Sequence, residues 1–524
     1  MLTTLDYLII AAYLGGVAVF GIRMAGQQTS TADYFLGGRD LPWWVVCFSV
    51  VATETSTLTI IGIPAVAYGG TLTFLQLTLG YLIGRTVVAF VLLPRFYDSD
   101  LPTTYAFLGR RYGDAMRAAA AGTFLFTRLL ADGIRLFASA IPLKVIAAAA
   151  GLQVGYFEII FVIVFITVIY TYIGGIKAVV WMDVVQLTIY LAAGVIAIAL
   201  LLGEVPSGWW TDAVRENKTL LFDLGLDLPF AAWFSQPYLL QTAVIGGAVF
   251  SVASHGADQL MVQRLLACRS LRDSQKAVIG SAFLVMVQFA LFLFVGLLLW
   301  SYYKGATPAE LGLSRGDEIF PLYIIDGLPA GVSGLLLAGI IAAAMSTLSS
   351  SLNSLASSSM LDLYQRFRKA PLDDDRALKI SRRLTLFWGV VLVGFASLFE
   401  STENPIVELG LTIASFTYGG LLGVFLLGIL NKSSQQVDAL IAFAATIVTM
   451  ICVIFGVWYS AESGWIFFFN PAEAVVQERG LVPIAWPWFP VIGASVTVAV
   501  GSVSAMLRRR WNRQTRQETS RNSG

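Results

Sequence analysis

Four clusters of polar residues lie within apolar stretches of the chain, and each needs a partner or a task, because a bare polar group in hydrocarbon is costly. The first is Ser49-Val50-Val51-Ala52-Thr53-Glu54-Thr55-Ser56-Thr57-Leu58-Thr59, followed by Gly62 and Pro64. A carboxylate among hydroxyls, with Gly and Pro behind it, describes a helix that breaks easily. Broken helices free carbonyl oxygens that can hold ions or polar solutes near the bilayer midplane. The plainer reading is a kinked helix with small residues at a tight contact. The second cluster runs from Ala343 to Ser354, where Ser346, Ser349, Ser350 and Asn353 fall at i, i+3, i+4 and i+7 on one helix face. Such a stripe offers neutral oxygen ligands to a hard monovalent cation, although close packing also favours serine.

The third cluster is Arg128, Asp132 and Arg135, which lie within about 60° of one another on a helix, so the carboxylate can neutralise one guanidinium. The arginine left over can recognise an anion through its planar fork of donors, snorkel to an interface, or pair with Glu54. The fourth is Ser251-Val252-Ala253-Ser254-His255-Gly256-Ala257-Asp258-Gln259, a second polar interruption that contains the chain's single histidine. A lone histidine cannot make a zinc site; donation to a solute, pH sensing and capping of a helix break all remain open.

The elements that position these residues follow from composition. Of 524 residues, 57% are hydrophobic and 13% charged, and the mean hydropathy is +0.75, against about 25% charged in soluble domains. The expectation is one all-α integral membrane domain. Stretches of about 20 apolar residues run from Asp6 to Met24, Trp44 to Val66, Thr71 to Pro94, Ala118 to Ala150, Gly155 to Ile173, Ala178 to Gly203, Tyr238 to Arg264, Ala277 to Tyr303, Pro329 to Leu363, Ile380 to Leu398, Pro405 to Ile429, Val437 to Tyr459 and Trp486 to Leu507, thirteen in all. The first opens on Asp6 rather than a basic region, so it does not read as a cleavable signal. Most of the 34 Lys and Arg residues, among them Arg110, Arg111, Arg382 and Arg383, fall on one side if the N-terminus is outside and the C-terminus cytoplasmic. The outer segments Glu204 to Gln236 and Ser460 to Ala485 suggest short interfacial helices and lids. The basic tail 508–524 reads as a solvated or headgroup-facing end.

A net charge of +1 provides no field to hold nucleic acid. Cys47, Cys268 and Cys452 match neither metal nor disulfide spacing and read as packing residues. No nucleotide-binding loop, metal motif or nucleophile elbow occurs, which argues against an ATP-driven pump or a membrane enzyme.

The chain resembles the sodium:solute symporter family over nearly its whole length. The resemblance rests on Gly37-Gly38-Arg39-Asp40-Leu41-Pro42-Trp43-Trp44, Ser49 to Tyr68, Tyr172-Ile173-Gly174-Gly175-Ile176-Lys177-Ala178-Val179 with Asp183 and Gln186, Asp258-Gln259 to Gln263-Arg264, and the serine stripe with Leu352-Asn353-Ser354. It implies two inverted five-helix repeats, residues 44–203 and 238–429, after a leading helix 6–24 and before two trailing helices 437–507. Broken helices would open both repeats. The main sodium site it implies uses backbone oxygens of Ala52, Thr55 and Ala343 and the hydroxyls of Ser346 and Thr347. A second, present in some members, would use Ser346, Ser349, Ser350 and Asp183. It also implies that Glu54, Ser56, Thr59, Gln76, Arg135, Ser251, Ser254 and His255 face the solute. The pattern Ala52-Thr53, Ser56, Thr59, Gly62, Pro64 and Tyr68 is similar to the iodide, monocarboxylate and vitamin branch, from which Glu54 and Arg135 depart, and the sugar-branch residues are absent.

The resemblance therefore implies a sodium-coupled secondary active symporter of the cell membrane that imports a small carboxylate-bearing solute, an anion or a zwitterion. Arg128, Asp132, Arg135 and Glu54 sum to zero charge. If Glu54 and Arg135 pair across the empty cavity, a zwitterion fits; if they do not, Arg135 favours a monoanion. The alternatives are proton coupling through Glu54, Asp183 or His255, and a transporter-like sensor or channel, against which the short tail after Arg508 speaks.

Overall fold

The computed structural model describes residues 2–24, 26–98, 101–149, 151–368, 372–398 and 406–522; Ala150, Pro405 and Gly524, named above as ends of stretches, lie outside the described residues. Helices lie over each of the apolar stretches, as they must where hydrocarbon offers no partner for backbone groups. They are α1 Thr4–Arg23, α2 Trp43–Glu54, α3 Thr57–Gly69, α4 Thr73–Asp98, α5 Asp114–Ala149, α6 Tyr156–Glu204, α7 Leu240–Gly256, α8 Gln259–Leu266, α9 Leu271–Tyr302, α10 Val332–Phe367, α11 Asp374–Ala396, α12 Ile406–Leu430, α13 Gln436–Gly456 and α14 Trp488–Asn522. Among the described residues, seven helices are long and apolar enough by themselves to cross a membrane, and the bent pair α2 and α3 makes an eighth.

Three breaks shape the core. Helices α2 and α3 meet at 66°, because Thr55 leaves the helix with extended backbone and the Ser56 N–H turns to Thr59 Oγ1 (3.3 Å). Helices α7 and α8 are separated at Ala257 and Asp258, whose carboxylate caps α8 through the Leu260 N–H (2.9 Å). Helix α6 joins two of the expected stretches through Gly175, at φ 53° and ψ −151°. That backbone conformation is essentially confined to glycine, and a Cβ there would stand 2.4 Å from the Tyr34 carbonyl oxygen. Gly175→Ala is accordingly expected to cost at least about 1–3 kcal/mol in backbone strain, visible as earlier thermal unfolding in detergent; an unchanged transition would show that α6 bends for another reason.

Helix α10 packs along α6 and touches α2, α9 packs on both α2 and α3, and α7 packs on α4. The α4–α7 contact is close: a Cβ at Gly84 would sit 2.4 Å from the Ala248 carbonyl. Helix α10 is buried from Leu336 to Ser358, serines included, and emerges at Tyr364 and Phe367. Helices α12, α13 and α14 pack together at the periphery, and Arg508 ties α14 to the buried Asp438 of α13 (2.7 Å). The described tail residues 508–522 continue α14 as helix.

The segment 204–236 contains the expected short helix, Trp209–Arg215, and a helical turn at Phe230–Ser235. Its Lys218 ammonium donates to the Tyr68 and Gly70 carbonyls (2.8 and 3.1 Å), closing the end of α3, and burial pushes its pKa down. The other outer segment differs from expectation. Besides the short helix Glu473–Glu478, it forms a three-stranded antiparallel sheet, β1 Val457–Ser460 between β2 Gly464–Phe467 and β3 Val482–Pro483. Aromatic residues with Val457 and Ile466, on either side of a turn, favour strand over helix there.

Candidate functional site

The break after Glu54 leaves the carbonyls of Ala52, Thr53 and Thr55 without a backbone N–H. Helix α10 brings Thr347 to them: its hydroxyl lies 3.5 Å from the Thr53 carbonyl oxygen and 3.4 Å from that of Thr55. Ala343, one turn before Thr347, and Ser346, beside it in sequence, are both fully buried. The Thr55 carbonyl and the Thr347 hydroxyl belong to the main sodium set that the resemblance implies and come from positions 292 residues apart. Neutral oxygens converging beside a helix break fit a dehydrated monovalent cation.

One turn further along, Asp183 of α6 accepts hydrogen bonds from Ser346 (2.6 Å) and Ser49 (2.5 Å), and Thr53 and Ser350 share one (3.0 Å). Ser349 turns instead to the Ser346 carbonyl (3.0 Å). A further group sits here. The guanidinium of Arg264, wholly buried, is hydrogen-bonded to Ser350 and to Ser49 (3.0 Å) and lies 3.7 Å from Asp183.

Beside the break opens a partly enclosed cavity of about 90 Å³, tighter than the about 300–1,000 Å³ usual for small-molecule sites. Glu54, Ser56, Thr59, Arg135, Ser254 and His255 line it, among the aromatic rings of Phe74, Tyr81, Phe250, Phe289 and Tyr418. Gln76 and Ser251 are not among its walls. The Gln76 amide donates to the Tyr238 and Thr73 carbonyls (2.8 and 3.2 Å), holding the outer loop, and the Ser251 hydroxyl donates to the Tyr81 carbonyl (3.3 Å), joining α7 to α4.

The charges are paired otherwise than the residue spacing suggests. Glu54 does not reach Arg135; it forms an ion pair with Arg85 of α4, whose other terminal nitrogen donates to Ser281 (2.7 Å). Arg128 is held by Asp258, 130 residues away in sequence, and by Tyr418 (2.7 Å), as well as by Asp132 (3.5 Å). Arg135 shares that same Asp132 oxygen at 3.5 Å, a separation at the limit of a hydrogen bond. Its side chain is 20% exposed against 5% for Arg128, so Arg135 is the guanidinium with donors to spare at the cavity. His255 Nδ1 meets Ser254 (2.8 Å), while its buried Nε2 has no hydrogen-bond partner among the described residues and lies 3.9 Å from Glu54.

Arg85, Asp258 and Tyr418 were not singled out for this cavity by sequence. Arg85 carried a signal, a lone cation inside an apolar stretch. The aromatic walls carried none, since aromatic residues recur throughout the chain.

A profile of the sodium:solute symporter family matches residues 34–461. The chain is 29% identical over 508 residues to the sodium/sialic acid symporter NanT of Aliivibrio fischeri, covering 96% of this chain and 93% of that protein. It is 31% identical over 458 residues to sodium-coupled monocarboxylate transporter 1 of Mus musculus, covering 84% and 71%. Its fold is similar to a solved substrate-bound, outward-open structure of a Na+-coupled sialic acid symporter, with a TM-score of 0.81, 24% identity, and coverage of 96% of this chain and 98% of the other.

Proposed function

The chain belongs to the sodium:solute symporter family, a family of membrane-embedded transporters rather than enzymes, and on that premise we propose that it imports a small carboxylate-bearing solute with sodium, using the break at Thr55 and the cavity beside it. The observation that carries this reading is the Thr347 hydroxyl facing the freed carbonyls of Thr53 and Thr55, next to a cavity on which Arg135 has donors to spare. Sialic acid and monocarboxylates, carried by the relatives named above according to their descriptions, both bear a carboxylate.

The finer architecture belongs to the same proposal. Thirteen spans in two inverted repeats, 44–203 and 238–429, are supported by a helix over every stretch and by a helix break near the start of each repeat. N-terminus outside and C-terminus cytoplasmic rests on the placement of Lys and Arg. Each sodium ion moving inward down 100 mV releases about 2.3 kcal/mol before any concentration gradient is counted.

The test is a thermal-shift screen of organic acids, amino acids and vitamins with and without sodium, followed by uptake into proteoliposomes. A ligand that binds the native state raises its apparent stability by RT ln(1 + [L]/Kd), so the substrate is expected to shift unfolding more in sodium than in choline. Accumulation driven by a pH step with no sodium would replace sodium with the proton, and binding without accumulation would leave a sensor.

A further inference from the structure

One corner of the cavity holds two polar groups that face each other without touching. The Nε2 of His255 lies 3.9 Å from a carboxylate oxygen of Glu54, beyond hydrogen-bond reach, and among the described residues it has no partner. Both side chains line the cavity, and that of His255 is only 2% exposed. Each group is held from behind. Glu54 is paired with Arg85, which is itself wholly buried and donates to Ser281 (2.7 Å). On the imidazole, Nδ1 lies 2.8 Å from the Ser254 hydroxyl, which is 3.3 Å from the Ser251 carbonyl. The shorter distance assigns the hydroxyl proton to Nδ1, so the ring's own proton sits on Nε2 and is left for the gap.

The gap therefore has a donor on one side and an acceptor on the other. An oxygen about 2.8 Å from both fits at the apex between them. A group at that point must accept from Nε2 and donate to Glu54, and a hydroxyl does both. An ammonium has no lone pair for Nε2, and it would add a cation beside a carboxylate that Arg85 already neutralises. An ether or carbonyl oxygen has no proton for Glu54. We propose that His255 and Glu54 read a hydroxyl on the transported solute. That solute is then a hydroxylated monoanion, held by its carboxylate at Arg135 and by its hydroxyl at this pair. A cavity of about 90 Å³ limits it to a short chain. The proposal rests on the carboxylate reading above and narrows it.

The test is titration calorimetry on the purified protein in sodium with straight-chain acids of about three to six carbons, each as the plain acid, its hydroxy forms, their methyl ethers and the 2-amino acid. At least one hydroxy acid is expected to bind wild type about tenfold or more tightly than its plain counterpart, because the plain acid leaves buried groups unpaired. The ethers and amino acids are expected to gain nothing over the plain acid. His255→Leu removes the donor, so the preference for the hydroxy acid should fall to parity. Should His255→Leu fail to fold, His255→Asn carries the test, since its amide reaches only the position of Nδ1 and vacates the gap. His255→Gln, whose amide nitrogen can stand where Nε2 does, should retain the preference. A purely structural role for His255 would move hydroxy and plain acids alike. Equal binding of the two by wild type, a preference that survives in His255→Leu and His255→Asn, or tightest binding of the amino acid overturns the proposal and leaves the carboxylate reading standing. Binding of no acid at all overturns that reading beneath it.

Discussion

Replacing Ser346 and Thr347 together by alanine is expected to abolish sodium-driven uptake while the protein still inserts and folds. The ion's proposed shell holds three backbone carbonyls, of Ala52, Thr55 and Ala343, and these two hydroxyls. Dehydrating a cation is favourable only when enough oxygens replace its water, and three carbonyls do not suffice. Changes to residues that merely support a metal's ligands already cost about 10–100-fold in affinity, so losing two direct ligands should raise the half-saturating sodium concentration by at least that factor. The structural cost is smaller: Ser346 gives up one hydrogen bond to Asp183 (2.6 Å), worth about 1 kcal/mol, and Thr347 only the long contacts to Thr53 and Thr55 (3.5 and 3.4 Å). Uptake of a known substrate at varied sodium, with folding checked by gel filtration, decides the matter. Unchanged sodium dependence in the double variant sinks the assignment.

Arg135→Gln is expected to weaken binding of the native solute by about 2–5 kcal/mol, the usual loss when one side of a desolvated charge pair is truncated. The other cavity arginine cannot take over, because Arg128 is committed to Asp258 and Tyr418. Glu54→Gln then tells what else the solute carries. Glu54 is paired with Arg85, so neutralising it uncovers a second buried cation beside the cavity. A monoanion should bind as well or more tightly, and a zwitterion, whose ammonium needs Glu54, should bind much more weakly. Opposite signs of the effect for the two solute classes make a titration of each variant sufficient. If Arg135→Gln binds the native solute normally, the carboxylate reading fails, and a neutral solute held by Ser56, Thr59 and His255 takes its place.

What the amino-acid sequence determined by itself was everything local. Hydropathy placed the helices because a backbone in hydrocarbon has no alternative to internal hydrogen bonds. Gly62, Pro64 and the hydroxyl run around Glu54 located the break of α2 from α3, and the i, i+3, i+4 spacing put Ser346, Ser349 and Ser350 on one stripe of α10, since both follow from geometry along a single helix. The outer sheet around Trp458 and Trp465 was missed, although its residues favour strands, because Trp, Phe and Gly near a membrane edge suit interfacial helices equally well. What only the tertiary structure decided was which charge meets which. Arg128, Asp132 and Arg135 were legible as neighbours on α5, but the Asp258 that holds Arg128 comes from the break before α8, and Glu54 turns to Arg85 of α4 rather than to Arg135. Gln76 leaves the cavity for the Tyr238 carbonyl, and Arg264 reaches Asp183 from the short helix that follows the second break. A side-chain charge in a low-dielectric interior takes the partner that lies within a few ångströms, and that distance is set by how whole helices stack, which no periodicity along one of them records.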